Sequence, residues 1–234
     1  ARFAGGMMRP ITGERGVCTA EQVAAEWAVE DTHRLGVSLV CVENTHNQGG
    51  GKIWPIANLA AIKELADQRN ARTHMDGARL MNAVIATGIS AREYSSHVDT
   101  VWKWNEQRGH HDHGPIDWDE LWQPVGGHGP MNKERLATRV KAHDDGAWVR
   151  EAALAEIPGS ELVAGPGETN MLFFDIAGTG LTAGELIDGL LERGIRLSSP
   201  YRQGSVLRMV THLDVTTEDC LKAVDALRAV VSAA

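Results

Sequence analysis

The sequence contains no run of eighteen or more apolar residues, the length that crosses a membrane as a helix. Its opening stretch, ARFAGGMMRPITGERG, has no apolar core of signal-peptide length. Cysteine is scarce, with three residues at positions 18, 41 and 220. An odd and scattered set of this kind fits a reducing compartment better than a disulfide framework. We therefore expect no membrane partner and a cytoplasmic location.

Positive charge is also scarce. The 23 Lys and Arg residues are outnumbered by 31 Asp and Glu residues, which gives a net charge of −8, and no basic cluster stands out. Binding along a phosphate backbone needs such clusters, so we expect no nucleic-acid partner. Hydrophobic residues make up 43% of the chain and charged residues 23%, which is ordinary globular usage and predicts a folded protein.

Apolar patterns in the first half of the chain alternate between the periods of strands and helices. They predict a helix over 19–33, a strand over 37–42, a helix over 56–69, a strand over 72–75, a helix over 80–87 and a strand over 98–102. A polar, glycine-rich loop follows the first strand. Repeated strand, loop and helix predict an α/β fold with a mostly parallel sheet and right-handed crossovers.

No periodic pattern extends over residues 102–130, whereas 132–157 has a helical composition. Beyond it the patterns predict a strand over 169–176, a helix over 182–193, a strand over 206–210 and a helix over 216–231. Two helix starts have capping-box spacing, Thr19 with Gln22 and Thr182 with Glu185. We expect a large domain over residues 1–150 and a small C-terminal α/β domain over 151–234.

Polar residues follow the strands of the predicted sheet, where open parallel sheets bind ligands. Asp76 has two interpretations. In the first, which its spacing favours, it caps a helix that starts at Gly77. In the second, its carboxylate holds a protonated heterocyclic nitrogen while Arg79 holds an anion. His46, in the loop after the first strand, is either a solvated histidine or a general base or stacking ring. Arg208 lies within the last predicted strand.

A histidine cluster lies in the unpatterned stretch. His110, His111, Asp112 and His113 are ligand types for zinc and similar metals. Because no predicted element fixes their geometry, the sequence favours a solvated loop without metal. We interpret four nearby tryptophans as packing residues: Trp102, Trp104, Trp118 and Trp122.

Four segments together resemble one enzyme family. Residues 43–90 contain ENTHN followed by H-x-DGAR, residues 168–173 read ETNMLF, residues 207–215 read LRMVTHLDV, and residues 9–22 contain PITGERG. These motifs resemble, in order and near spacing, those of the pyridoxal-phosphate-dependent threonine aldolase and aromatic amino acid β-eliminating lyase family. The resemblance covers about 1–102 and 134–234.

The resemblance implies a fold type I α/β architecture and pyridoxal 5'-phosphate as the cofactor. It implies a lyase whose small-molecule substrate, a threonine-like β-hydroxy-α-amino acid, is cleaved to glycine and an aldehyde. Because the family's sites lie between subunits, it also implies a homodimer or homotetramer. Asp76 then pairs with the pyridinium nitrogen, Arg79 and Arg208 hold the substrate carboxylate, and His46 lies near the β-hydroxyl, where it assists proton removal.

The sequence departs from the family in two places. The S/T-K-G-L-G motif that carries the Schiff-base lysine is absent, and Lys103, directly after the predicted strand 98–102, is the candidate replacement. The phosphate-binding N-terminal portion has no counterpart, which indicates a chain truncated at its N-terminus and divergent over 103–133. Two alternatives stay open: a catalytically silent relative with a scaffold or binding function, and β-elimination on the same fold.

Overall fold

The structure is a computed structural model that describes residues 6–27, 36–105, 110–113, 154, 156–163, 165, 167–197, 204–211 and 215–234. The chain divides into two units, Ala1–Val84 with Gly88–His128 and Ile85–Thr87 with Gly129–Ala234. The predicted domain boundary at residue 150, most of the predicted helix 132–157, and Trp118 and Trp122 lie outside the described residues. No helix in the described ranges is long and apolar enough to span a membrane.

The first unit contains a four-stranded sheet and its helices. In chain order these are α1 (Ala20–Ala25), β1 (Leu39–Glu43), α2 (Ile56–Gln68), β2 (Arg72–Asp76), α3 (Leu80–Thr87), α4 (Ala91–Ser96), β3 (Thr100–Asn105) and β4 (His110–His113). The strand order is β1-β2-β3-β4, with β1, β2 and β3 parallel and β4 antiparallel to β3. The predicted α/β fold with a mostly parallel sheet is therefore confirmed.

One face of this sheet forms the core of the first unit. Val40 and Val42 of β1 and Met75 of β2 are buried on that face, whereas the alternate residues Leu39 and Cys41 are exposed. Helix α2 contributes residues spaced by three and four positions to the same core, namely Leu59, Ile62 and Ala66. Because side chains alternate along each strand, the polar residues between these buried positions lie on the opposite face of the sheet.

Asp99 holds the start of β3 beside β2. Its carboxylate accepts hydrogen bonds from the backbone N–H of Thr73 at 2.8 Å, from the Thr73 hydroxyl at 2.9 Å and from Arg72 Nη1 at 3.2 Å. Burial raises the pKa of Asp99, but these hydrogen bonds outweigh it and hold the pKa below its usual value. The ionised carboxylate therefore helps to fix the register that places Asp76 opposite Trp102.

Two expectations about the region after β2 were wrong. Strand β3 runs to Asn105 rather than ending at residue 102, and residues 110–113 are not a loop but strand β4. The physical reason is backbone pairing with β3, which supplies hydrogen bonds to a segment whose composition gives no strand pattern. Consequently Lys103 does not follow the strand but lies within it, opposite Asp112.

The spacing of Asp76 favoured a helix cap, and this expectation was wrong. Asp76 is the last residue of β2, and α3 begins three residues after Gly77, at Leu80, with Arg79 at its N-cap position. The Gly77 N–H donates to the Trp102 carbonyl at 2.6 Å, which continues the pairing with β3 and delays the helix. A Cβ at residue 77 would lie 2.9 Å from that carbonyl oxygen, so the close approach requires glycine.

The second unit contains an antiparallel sheet and two helices. In chain order these are β5 (Glu161–Leu162), β6 (Met171–Asp175), α5 (Ala183–Leu191), β7 (Val206–Val210) and α6 (Thr217–Ser232). The strand order is β5-β6-β7, and the two helices bury leucines of α5 and Leu227 and Val230 of α6 in one core. Both predicted capping boxes are confirmed, and a third, Thr216 with Asp219, also forms. The third box was not predicted, because the capping-box pattern has Glu or Gln three residues after the Thr and this one has Asp219.

Candidate active site

The parallel strands bring their polar ends to one edge of the first sheet. Glu43 ends β1 in register with Asp76, which ends β2 opposite Trp102 of β3. The Asn44 N–H donates to the Asp76 carbonyl at 2.9 Å, so the pairing continues one step into the loop after β1. This is the edge at which open parallel sheets bind ligands.

Glu43 is the centre of the charged side chains at this edge. Its Oε1 lies 3.1 Å from Arg79 Nη1, and its Oε2 lies 3.9 Å from His46 Nε2. The three side chains are between 23% and 29% exposed, so they are partly shielded from water. The structure thus brings His46, Asp76 and Arg79 together at one sheet edge, around a carboxylate to which we had given no specific function. Its position directly after the predicted strand 37–42 is the sequence signal that points to it.

The loop after β1 fixes the orientation of the His46 ring. The His46 N–H donates to the Lys52 carbonyl at 2.8 Å, and the Gly51 N–H donates to the His46 carbonyl at 3.0 Å. The Gly49 N–H donates to His46 Nδ1 at 3.0 Å. These bonds leave Nε2 as the nitrogen that faces Glu43.

A turn from the N-terminal segment packs against the same loop. Arg15 and Gly16 both have positive φ, +52° and +83°, in a turn that Glu14 and Val17 close. Arg15 Nε donates to the Gly49 carbonyl at 3.0 Å. A Cβ at Gly16 would overlap the His46 imidazole. The PITGERG segment, noted in the sequence only through a resemblance, therefore supports the histidine directly.

Three buried polar atoms lie at the base of the loop. Asn44 and Thr45 are fully buried, and Asn44 Oδ1 accepts from the backbone N–H of Trp54 at 3.3 Å. Asn44 Nδ2, Thr45 Oγ1 and Trp54 Nε1 have no hydrogen-bond partner among the described residues. Buried polar atoms in native proteins are bonded, in many cases to ordered water. Partners for these three atoms, such as ordered water, therefore lie outside the described side chains.

Asp76 has the properties needed to hold a protonated ring nitrogen. Its side chain is half-buried, and its Oδ1 accepts from the Ala78 N–H at 3.0 Å. No other hydrogen bond reaches this carboxylate from the described residues, so Oδ2 retains its capacity to accept. A carboxylate fixed by one backbone amide, with its second oxygen available, suits a cationic N–H donor. The carboxylate acceptor at this position therefore fits the N–H of a pyridinium ring.

The other two predicted site residues are placed only in part. Lys103 follows Trp102 in β3, one residue beyond the position opposite Asp76, and its backbone is all that the structure describes. Arg208 lies in the middle of β7, opposite Phe173 and between the buried Leu207 and Met209. Because Arg208 belongs to the second unit, its approach to Arg79 stays a prediction.

The chain is similar in sequence to known enzymes. Residues 1–103 match the profile of the beta-eliminating lyase family. The low specificity L-threonine aldolase of Escherichia coli K12 is 28% identical over 225 residues, which cover 87% of this chain and 63% of that protein. The alanine racemase TOXG of Cochliobolus carbonum is 36% identical over 101 residues, covering 42% of this chain and 25% of that protein. The chain thus spans less than two thirds of the length of these relatives.

Solved structures show the same architecture. The Leishmania major threonine aldolase has a TM-score of 0.65 at 16% identity, covering 94% of this chain and 69% of that one. The fold and its strand-end site define an α/β protein with the fold type I architecture of pyridoxal-phosphate enzymes. The similarity to the beta-eliminating lyase family lies in residues 1–103, which are less than half of the chain. The cofactor that these similarities imply is pyridoxal 5'-phosphate.

Proposed function

We propose that the chain belongs to an aldehyde-lyase that cleaves a threonine-like β-hydroxy-α-amino acid to glycine and an aldehyde. The observation that carries this proposal is the strand-end group of Asp76, Arg79 and His46 around Glu43, in a chain similar to threonine aldolases. The cofactor supplies, when bound, a sink for the electron pair of the broken Cα–Cβ bond. Asp76 would hold its ring nitrogen.

The remaining side chains bind and orient the substrate. Arg79 uses one nitrogen on Glu43, and its planar guanidinium carries further N–H donors for a substrate carboxylate. Arg208 is the proposed second donor. His46, whose Nε2 faces Glu43, is proposed to contact the β-hydroxyl. During cleavage the hydroxyl loses its proton, the Cα–Cβ bond breaks, the aldehyde leaves, and Cα gains a proton to give glycine.

An assay of products tests this proposal and separates it from its rivals. Purified protein with pyridoxal phosphate is incubated with L-threonine and L-allo-threonine, and glycine and acetaldehyde are measured. Equal amounts of both products support aldol cleavage. A keto acid and ammonia, formed from an amino acid with a β-leaving group, would indicate β-elimination instead. Cofactor binding without either reaction would support the catalytically silent relative, which the missing lysine motif favours.

Replacing Asp76 with asparagine is expected to weaken binding of pyridoxal phosphate by about tenfold or more. The amide removes the negative charge that favours a protonated ring nitrogen, and a charge-assisted hydrogen bond contributes about 1.5–3 kcal/mol. The measurement is a fluorescence titration of the apoprotein with the cofactor. Asp67→Asn on α2 changes the charge equally and is the matched control, with unchanged affinity expected. Equal affinity in both variants would contradict the assignment of Asp76.

Replacing Arg208 with lysine is expected to raise KM for the amino acid by about tenfold while kcat changes less. A lysine keeps the charge but loses the planar pair of donors that matches a carboxylate. Steady-state kinetics of the wild type and the variant give the two constants separately. Arg228→Lys, on the exposed side of α6, serves as the control. An unchanged KM would remove Arg208 from the substrate site.

Assembly and location are part of the same proposal. The family resemblance supports a homodimer or homotetramer, which light scattering after size-exclusion chromatography measures. The small, odd number of cysteines, none of them in a disulfide, supports a cytoplasmic location.

A further inference from the structure

Glu43 has contacts that reach both proposed substrate-binding side chains of the first unit. One carboxylate oxygen faces the Arg79 guanidinium at 3.1 Å and the other faces His46 Nε2 at 3.9 Å. The first distance is that of a charge-assisted hydrogen bond, whereas the second exceeds a direct hydrogen bond and acts through charge. Glu43 itself is fixed by its position at the end of β1, in register with Asp76.

The Gly49 amide favours one of the two positions for the proton of neutral His46. A backbone N–H only donates, so His46 Nδ1, which lies 3.0 Å from the Gly49 nitrogen, must accept. A neutral imidazole has one protonated and one unprotonated nitrogen, and the proton therefore lies on Nε2. The carboxylate of Glu43 favours the same arrangement, because its negative charge lies 3.9 Å from Nε2 and attracts the positive end of an Nε2–H group.

We infer that Glu43 is a positioning residue that holds Arg79 and keeps neutral His46 in the Nε2–H form. This inference rests on the proposed function only for its consequence in the reaction. In that form His46 donates a hydrogen bond to the substrate oxygen and has no lone pair at Nε2 with which to take its proton. His46 is then an orienting donor and not the general base that the family resemblance implied.

A glutamine at position 43 cannot satisfy both neighbours. It has one side-chain oxygen, and Arg79 offers only donors, so the oxygen turns to Arg79 and the amide NH₂ turns to His46. Two N–H groups would then face each other across the gap at Nε2. This contact removes part of the advantage of the Nε2–H form, so the form with the proton on Nδ1, which gives up the bond from Gly49, gains population. The variant therefore shifts the position of the proton without requiring any change in the fold.

Nitrogen NMR of the apoprotein tests the inference. Long-range ¹H–¹⁵N spectra of protein with labelled histidine, recorded where imidazoles are neutral, distinguish the protonated from the unprotonated ring nitrogen. The chain has ten histidines, and the His46 signals are those lost in His46→Asn. We expect a protonated Nε2 in the wild type and in Glu93→Gln, a matched change on the exposed face of α4. In Glu43→Gln we expect the two nitrogen signals to move toward each other, as a mixture of the two tautomers requires.

The outcomes are separate from those of the activity assay because no cofactor or substrate is present. A wild-type His46 protonated at Nδ1 would overturn the inference. An unchanged pattern in Glu43→Gln would also overturn it, because the Gly49 amide alone would then hold the tautomer. Arg79→Gln provides a second variant in case Glu43→Gln does not fold. With Arg79 removed, Glu43 keeps its charge toward His46, so Nε2 should stay protonated, and the same movement of the two signals there would count against the inference.

Discussion

Gly16→Ala is expected to destabilise the protein by about 3 kcal/mol and to displace the His46 ring. Two costs add. A residue with a Cβ at φ +83° pays about 1–2 kcal/mol for the left-handed conformation, and the new methyl overlaps the imidazole, which adds an overpacking cost of about 1–3 kcal/mol. The ring cannot simply withdraw, because Nδ1 is bonded to Gly49 and Nε2 faces Glu43.

Gly88→Ala separates these two costs. Gly88 ends α3 at φ +72°, and nothing lies within 4 Å of the position its Cβ would occupy. The Gly88→Ala variant is therefore expected to lose only the conformational cost, about 1–2 kcal/mol of the free energy of unfolding. Urea denaturation of both variants and the wild type gives the free energies of unfolding. Equal losses in the two variants would mean that the turn does not support the histidine.

Local signals explain why some elements were predicted with their observed bounds. Helix α3 and strand β7 begin and end where the sequence patterns placed them, and the capping boxes at Thr19 and Thr182 formed as expected. In each case the deciding interactions connect residues a few positions apart: apolar spacing on one helix face, or a hydroxyl and a carboxamide or carboxylate three residues on. The residues of one segment are therefore enough to predict its bounds.

The site depends on contacts between distant segments, which no local pattern encodes. Strand β4 exists because β3 offers it a pairing edge, and that pairing also places Lys103 inside a strand. The function of Gly16 depends on a loop thirty residues further along the chain. Glu43 contacts Arg79 only because two strands share a register. The motifs pointed to residues that share one sheet edge, whereas the supporting residues became visible only in three dimensions.

Lys103 is expected to be the residue that becomes covalently labelled when the protein is treated with pyridoxal phosphate and borohydride. An unprotonated lysine amine condenses with the cofactor aldehyde, and borohydride reduces the resulting carbon–nitrogen double bond to a stable adduct. The backbone of Lys103 lies one residue beyond the position opposite Asp76, at the sheet edge that holds the proposed cofactor ligand. Peptide mapping by mass spectrometry identifies the labelled lysine.

Lys103→Ala should lose the label entirely, whereas Lys63→Ala should keep it, because Lys63 is paired with Asp67 and Asp99 near the opposite end of β2. Label on Lys133 or Lys141 would mean that the segment after β3 carries the reactive lysine instead. Label on Lys52, whose backbone pairs with His46, would assign the reaction to the loop after β1. A protein that binds the cofactor reversibly and takes no label on any lysine would lack the covalent step that the proposed aldol cleavage needs. The catalytically silent relative would then be the correct description.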